Sequence, residues 1–154
     1  MSELIIGSVS PDFTSIDQNG ETVKLSDFKG NKVILYFYPK DNTPGCTAEA
    51  CNLKDNFESL TQKGFVVLGV SADSEKAHKN FADKYSLPFK LIADTDKKVL
   101  ELYNAWGEKK MYGKSYEGIL RKTFIISETG IIELIIEKVD TKNHTEQILK
   151  ALKK

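Results

Sequence analysis

The sequence predicts an α/β fold, in which a central mixed β-sheet is flanked by helices and preceded by an N-terminal β-hairpin extension. Two nearly continuous apolar runs, KVILYFY at residues 32–38 and FVVLGVSA at residues 65–72, are typical of strands buried on both faces. Strand and helix patterns then alternate, and an antiparallel pair and a last helix follow, which indicates a mixed sheet covered by helices. No repeat, low-complexity tract or linker interrupts this pattern. We therefore expect a single domain over residues 1–154.

The first half of the chain begins with a predicted hairpin. The segment FTSIDQNGETVKL, residues 13–25, alternates around Asn19-Gly20, which is a strong turn signal. A helix is predicted between the two apolar runs and ends at Lys63-Gly64, because apolar residues recur there at helical spacing. Those residues are Leu53, Phe57 and Leu60.

The second half repeats the alternation of strands and helices. Its predicted elements are a helix at 73–86, a strand at 89–95, a helix at 96–105, strands at 121–127 and 131–139 around the turn Glu128-Thr129-Gly130, and an amphipathic helix at 144–154. In the last helix, Ile148, Leu149 and Leu152 should face inward. A thioredoxin-like sandwich fits this order of elements.

Composition and charge exclude several classes of protein. Hydrophobic residues make up 40% of the chain and charged residues 29%, as in ordinary globular proteins. The formal net charge is +0, whereas a nucleic-acid-binding protein that relies on phosphate contacts normally has an excess of basic residues. The N-terminus lacks the features of a signal peptide, and no apolar run reaches the roughly 18 to 20 residues of a membrane helix. We expect a cytoplasmic protein that binds no membrane, in a compartment where thiols are kept reduced.

Both cysteines lie in one segment, PKDNTPGCTAEAC, at residues 39–51. Cys46 is predicted in the first turn of a helix, just beyond the carboxyl end of a buried strand, where α/β sheets usually carry active sites. The unpaired N–H groups and the dipole of a helix N-terminus favour the thiolate form of a cysteine. Thr43 is placed to cap this helix or to direct its hydroxyl toward the sulfur. The alternative is that Cys46 is a small buried hydrophobic residue.

Cys51 is too far from Cys46 for a disulfide as long as the helix is regular. Residues five apart in an α-helix have Cα atoms roughly 8.5 Å apart and lie about 140° around the axis from each other. A disulfide needs Cα atoms within ~7 Å and facing β-carbons, so the bond forms only if the turn unwinds. Helix and disulfide would then be two alternative states of one segment. The alternative is that Cys51 is a packing residue that never reacts.

Other chemistries are poorly supported by the sequence. The spacing CxxxxC is not the CxxC of dithiol exchangers, and a zinc site would need four ligands at short spacing. The only two histidines, His78 and His144, lie far from the cysteines in sequence, and we expect both at the surface. The aromatic residues are expected in the core or in the lining of a site: Phe37, Tyr38, Phe81, Tyr85 and Trp106.

The segment PKDNTPGCTAEAC resembles the active-site segment of the peroxiredoxins, which are thiol peroxidases. Their signature of Pro, three residues, Thr, two residues and Cys corresponds to Pro39, Thr43 and Cys46. The cysteine five residues later resembles the subgroup called peroxiredoxin Q or bacterioferritin comigratory protein. The block at residues 104–126 and the segment EKVDTKNHTEQILKAL also resemble that subgroup, so the similarity covers essentially the whole chain.

The resemblance implies an activity, a substrate class and a reductant. Cys46 would be the peroxidatic nucleophile and Cys51 the resolving cysteine, joined to it in an intramolecular disulfide after oxidation. Hydrogen peroxide and small organic hydroperoxides would be the substrates, and thioredoxin, with glutaredoxin as a second option, would be the reductant. No metal or other cofactor would be needed, because sulfur is the redox centre. We expect a monomer, with a weak dimer as the alternative.

The resemblance also assigns further site residues. Thr43 would hydrogen-bond both thiolate and peroxide, and Pro39 and Pro44 would shape the loop. Arg121 matches the family's active-site arginine, and a fixed cation there would stabilise the thiolate and the charge moving onto the peroxide oxygens. Glu49 is a candidate only for a supporting role next to the site.

Two other functions remain as alternatives. A disulfide reductase or isomerase on the same fold would reduce insulin, although it would be expected to carry a CxxC motif. A non-catalytic binding module would show an ordinary Cys46 in a thiol titration. The chain has neither the GGLG loop nor the C-terminal Tyr-Phe helix of over-oxidation-prone peroxiredoxins. By analogy, we expect it to resist inactivation by excess peroxide.

Overall fold

The computed structural model of the protein describes residues 4–111 and 113–153. Three predicted segments extend beyond these residues: the domain at 1–154, the family-like block at 104–126 and the helix at 144–154. The strands are β1 (Thr14–Ile16), β2 (Thr22–Lys24), β3 (Lys32–Phe37), β4 (Phe65–Ser71), β5 (Lys90–Ala93), β6 (Trp106–Met111), β7 (Lys114–Ile119), β8 (Lys122–Ile126) and β9 (Ile132–Ile136). The α-helices are α1 (Pro44–Asp55), α2 (Phe57–Gln62), α3 (Glu75–Tyr85), α4 (Lys98–Leu102) and α5 (His144–Leu152).

A five-stranded mixed sheet in the order β5-β4-β3-β8-β9 organises the fold. Strands β3, β4 and β5 run parallel, whereas β8 is antiparallel to β3 and β9 is antiparallel to β8. Because β3, β4 and β5 run parallel, their carboxyl ends lie at the same edge of the sheet. The loop between β3 and α1 therefore lies at the edge where α/β proteins usually place their sites.

Successive side chains of β3 point to opposite faces of the sheet, and both faces are buried. Val33 and Leu35 pack in a core with α4, the N-terminal hairpin and β7, while Ile34 and Tyr36 pack in a second core with α1, α2, α3 and α5. This two-sided burial explains why β3 and β4 are nearly continuous apolar runs. Cys46 belongs to the second core.

Most of the predicted elements are confirmed. The hairpin around Asn19-Gly20 forms as β1 and β2, and Gly20 takes the positive φ of 74° that such a turn requires. The second predicted hairpin forms as β8 and β9, and the amphipathic last helix forms as α5 with Ile148 fully buried. Leu149 and Leu152 are only partly buried, on the edge of the core.

The helix predicted up to Lys63-Gly64 is divided in two at Asn56. The Asn56 side chain donates from Nδ2 to the Asn52 carbonyl at 2.8 Å, and its backbone takes φ −106° and ψ 9°. Asparagine side chains compete with the helix for backbone groups in this way. The break does not change which side of the segment faces the core, since Leu53 before it and Leu60 after it are both buried.

One hairpin was not predicted at all. Within the described part of the chain, β6 and β7 pair only with each other. Most of the described side chains of β7 are exposed, so the segment lacks the alternation by which a strand is recognised. The predicted helix at 96–105 is also shorter, as α4, because Lys97 and Asn104 at its ends take positive φ. In the part of the chain that the structure describes, no helix is both long and apolar enough to cross a membrane.

Candidate active site

Cys46 is the third residue of α1 and is 1% exposed, with a free thiol. Thr43 has the extended conformation of an N-cap residue, and Pro44 occupies the first helical position, where its missing N–H costs nothing. The sulfur therefore lies at the positive end of a twelve-residue helix, as the sequence predicts.

Arg121 reaches this sulfur from a distant part of the chain. The first residue of β8, Lys122, pairs with Phe37 at the end of β3, so Arg121 lies beside the loop that leads to Cys46. Its Nη2 donates to Cys46 Sγ at 3.2 Å. Gly45 leaves room for the guanidinium, since a β-carbon there would be 3.3 Å from Nη2.

The other arm of the guanidinium binds Glu49, which is one helical turn beyond Cys46. Arg121 Nη1 donates to Glu49 Oε1 at 2.6 Å, and Glu49 is 0% exposed. Burial works against the arginine's charge, but Glu49 and Cys46 outweigh it and raise the pKa of Arg121 above its ordinary value. One guanidinium thus joins two acidic groups on the same face of α1.

The bond from Arg121 satisfies only one of the two carboxyl oxygens of Glu49. Its Oε2 finds no hydrogen-bond partner among residues 4–111 and 113–153 and lies 3.5 Å from His144 Nε2. Burial raises the pKa of Glu49 to about 7, even though Arg121 acts in the opposite direction. The carboxyl group therefore holds its proton far more readily than an exposed glutamate does.

His144 was expected at the surface, and that expectation is wrong. The residue is 0% exposed, with Nε2 2.8 Å from Thr123 Oγ1 and Nδ1 2.9 Å from Gln147 Oε1. Burial lowers the pKa of His144 to about 4, so the ring is neutral near pH 7. It lies one helical turn before the buried Ile148, and this apolar-face spacing was the signal that the sequence contained.

His78 was also expected at the surface and is also 0% exposed. Its Nδ1 lies 2.6 Å from Asp41 Oδ2, its Nε2 donates to the Ile92 carbonyl at 2.8 Å, and Tyr38 donates to Asp41 Oδ1 at 2.6 Å. Asp41 belongs to the loop between β3 and α1, so this cluster fixes the loop to α3 and β5. Phe81, three residues after His78, is also buried, so the two residues lie on the same core-facing side of α3.

The cluster around His78 has the composition of a metal site but is engaged in hydrogen bonds. Ligand atoms of Asp41, Asp73 and His78 lie within 4.8 Å of one another. Asp73 Oδ2, however, already accepts from the Asp41 backbone N–H at 2.8 Å and from Ser71 Oγ at 2.7 Å. We interpret these residues as the anchor of the loop.

Thr43 and Pro39 occupy the ends of this loop. Thr43 Oγ1 donates to the Lys40 carbonyl at 2.8 Å, and within the described chain it makes no side-chain cap of α1. The predicted capping bond is therefore not observed among the described residues, and the hydroxyl instead bonds inside the loop. Pro39 is half-buried directly after Tyr38, where the strand pattern of β3 has ended.

Cys51 lies in the same continuous helix as Cys46 and is half-buried, with a free thiol. Burial raises the pKa of Cys51, which Lys54 opposes and Asp55 reinforces. A regular helix through both residues holds their Cα atoms roughly 8.5 Å apart. The helix that was predicted to separate the two thiols is thus observed in this dithiol state.

A cysteine at a helix N-terminus, bound by an arginine at the carboxyl edge of a thioredoxin-like sheet, defines a thiol-based redox enzyme. The family model described as AhpC/TSA matches residues 6–135. The chain belongs to the AhpC/TSA family, in its Bcp/PrxQ group of peroxiredoxins, and is a thiol-dependent peroxidase.

Relatives of known name and structure agree with this assignment. Peroxiredoxin Bcp of Bacillus subtilis is 46% identical over 148 residues, covering 96% of this chain and 94% of the relative. Peroxiredoxin Bcp of Escherichia coli strain K12 is 44% identical over 153 residues, covering 99% and 98%. A cysteine-to-serine mutant of PrxQ from Xylella fastidiosa superposes with a TM-score of 0.91 at 33% identity, covering 99% and 98% of the two chains.

A further structural relative carries information on the chemistry. Bacterioferritin comigratory protein of Xanthomonas campestris, described with its alkyl peroxide reduction activity, superposes with a TM-score of 0.87 at 35% identity. The alignment covers 97% of this chain and 96% of that chain.

Proposed function

We propose that this protein reduces hydrogen peroxide and small organic hydroperoxides with Cys46 as the peroxidatic nucleophile. The observation that carries the proposal is the 3.2 Å bond from Arg121 Nη2 to Cys46 Sγ at the N-terminus of α1. A fixed guanidinium favours the thiolate and also the negative charge that develops on the departing peroxide oxygen. The alkyl peroxide reduction described for the Xanthomonas campestris relative supports the same substrate class.

In the first step the Cys46 thiolate attacks the terminal oxygen of R–O–O–H. The S–O bond forms as the O–O bond breaks, Cys46 becomes a sulfenic acid, and the departing alkoxide takes a proton from solvent to leave as the alcohol. Thr43 Oγ1 donates its own proton to Lys40, so its lone pairs are free to accept from the hydroperoxide O–H. Pro39 and Pro44 restrict the backbone at the two ends of the loop.

In the second step Cys51 condenses with the sulfenic acid. The Cys51 S–H loses its proton, the S–S bond forms, and the sulfenic oxygen leaves as water. The turn from Cys46 to Cys51 must unwind for this step, because a regular helix keeps the Cα atoms too far apart. The half-buried position of Cys51 in the same helix supports an intramolecular disulfide.

An external dithiol then returns the enzyme to its reduced state by thiol–disulfide exchange. We propose thioredoxin as this reductant, with glutaredoxin as a second option. We further propose that the enzyme is a single-domain monomer of the cytoplasm and that neither a metal nor another cofactor takes part, since the sulfur atoms carry the electrons.

Two cysteine variants test these assignments. Cys46→Ser should abolish turnover with thioredoxin, and retained turnover would remove its role. Cys51→Ser should reduce one equivalent of peroxide and then stall. Mass spectrometry of the peroxide-treated wild type should show a disulfide within one chain, and a disulfide found only between two chains would contradict the proposed resolution step.

A matched pair of variants tests Arg121. Arg121→Ala removes a charge-assisted bond worth roughly 1.5–3 kcal/mol, so the peroxide reaction should slow by about one to two orders of magnitude. Arg121→Lys keeps the charge without the fork that joins Cys46 and Glu49, and its rate should lie between those of the wild type and Arg121→Ala. Rates are read from single-turnover peroxide consumption, with circular dichroism as the check on folding. An unchanged rate in Arg121→Ala would show that Arg121 does not contribute to the peroxide reaction.

A further inference from the structure

Asn52, the residue directly after Cys51, is bonded to a different helix. Its Nδ2 donates to the Lys142 carbonyl at 3.0 Å, and its Oδ1 accepts from the Thr145 backbone N–H at 2.8 Å. Thr145 Oγ1 lies a further 3.5 Å from the Asn52 carbonyl. Both polar atoms of the Asn52 side chain therefore connect α1 to the N-terminal end of α5.

One of these contacts gives a hydrogen-bond acceptor to a backbone N–H at the start of α5 that has no partner within that helix. Asn143 occupies the N-cap position, yet among the described residues its side chain makes no capping bond. The Thr145 N–H is one of the helix's first N–H groups, which need a partner outside the helix. Asn52 supplies that partner from α1, so the contact is a built connection between the two helices.

The connection lies at one end of the segment that must rearrange. The proposed disulfide requires residues 46 to 51 to leave the helical conformation, and Asn52 is the first residue beyond them. The next residue, Leu53, is 0% exposed in the core, which fixes the rest of α1 as well. Cys51 is therefore the direct neighbour of a residue that these contacts hold in place, and the Cα atoms of Cys51 and Asn52 are about 3.8 Å apart.

We propose that Asn52 is a positioning residue for disulfide formation, because it ends the unwinding at Cys51. If the unwinding extended past residue 52, Cys51 would move on a longer flexible segment. Its effective concentration at the Cys46 sulfenic acid would then fall. This inference rests on the intramolecular disulfide of the proposed function.

A slower disulfide step has a chemical consequence that can be measured. The Cys46 sulfenic acid can react with a second hydroperoxide, which adds an oxygen to sulfur and leaves as the alcohol, giving the sulfinic acid. Condensation with Cys51 competes with this reaction. By positioning Cys51, Asn52 protects Cys46 against over-oxidation.

The test compares Asn52→Ala with the wild type in the full-length protein. Rapid quenching with a thiol-alkylating reagent and mass spectrometry separate the peroxide step from the disulfide step. The second-order rate of peroxide consumption should stay within about twofold. The first-order disulfide rate should fall about tenfold, which corresponds to the net loss of one to two hydrogen bonds. The peroxide concentration that over-oxidises half of Cys46 should fall by the same factor.

Two further variants serve as controls. Asn143→Ala removes an asparagine at the same helix start whose side chain makes no cap among the residues described, so its disulfide rate should equal that of the wild type. Asn52→Asp keeps the acceptor for Thr145 but places an acceptor-only carboxylate oxygen against the Lys142 carbonyl, so its disulfide rate should also fall below that of the wild type.

Three outcomes would overturn the inference. An unchanged disulfide rate would show that Asn52 does not position Cys51, and a faster one would show that the contact holds the helix wound. An equal slowing of the peroxide step would show a general structural role. Failure of the wild type itself to form the intramolecular disulfide would instead contradict the proposed function, which distinguishes the two cases.

Discussion

Replacing Glu49 with glutamine should change how the stability of the protein depends on pH. Folded Glu49 keeps its proton to about pH 7, whereas its ordinary pKa is 4.5, so the folded state binds more protons than the unfolded state between these values. Stability must then fall as pH rises through that window. The gap between the two pKa values corresponds to about 3 kcal/mol.

His144 has the opposite effect on the pH dependence of stability, over nearly the same pH range. Its pKa falls from 6.5 to about 4 on burial, so the unfolded state binds more protons between these values. Stability is then lost as pH falls through that window, again by about 3 kcal/mol. In the wild type the two contributions largely cancel between pH 4.5 and 6.5. In Glu49→Gln only that of His144 remains.

Urea unfolding at a series of pH values, followed by circular dichroism with both thiols kept reduced, measures this difference. The free energy of unfolding of Glu49→Gln, relative to the wild type, should rise by about 3 kcal/mol from pH 4.5 to pH 7.5. The control is Glu146→Gln, an exposed glutamate in the first turn of α5, which should show a nearly constant difference. Parallel pH curves for Glu49→Gln and the wild type would refute the reasoning.

Two further variants test packing and the loop anchor, both by urea unfolding. In Gly69→Ala the new β-carbon would lie 2.8 Å from Tyr36 Cζ, so overpacking should cost about 1–3 kcal/mol, and an unchanged midpoint would show that the ring moves freely. In Tyr38→Phe the buried Asp41 loses its 2.6 Å donor, at a cost of about 1–3 kcal/mol. Tyr85→Phe, which removes a hydroxyl bonded near the surface, should stay within about 0.5 kcal/mol, and equal losses in the two tyrosine variants would contradict the anchor.

The elements that were predicted well are those with a strong local pattern. β3 and β4 are apolar on both faces because both faces are covered, and the turn at Asn19-Gly20 uses the glycine that a positive φ favours. The helix containing both cysteines also followed from local signals, namely a proline at its start and apolar spacing along its length.

The elements that were missed lack such a pattern. β7 exposes most of its described side chains, and those of β6 are half-buried or exposed, so no alternation marks either segment as a strand. Asn56 interrupts the helix through a hydrogen bond of its own side chain, although the apolar spacing continues through it. Both histidines lie on helix faces that also carry apolar residues, and this spacing is what places them in the interior.

The sequence by itself determined where the five strands of the central sheet lie along the chain and the presence of two thiols in one helix, because hydrophobic periodicity and turn residues act over a few positions. Only the tertiary structure decided what surrounds those thiols. Arg121 reaches Cys46 across 75 positions and Glu49 across 72, and Asn52 meets Thr145 across 93. Such contacts depend on the register of β3 with β8 and on the packing of α1 against α5. Local patterns do not encode them, because chain segments far apart in sequence meet only when the whole sheet has formed.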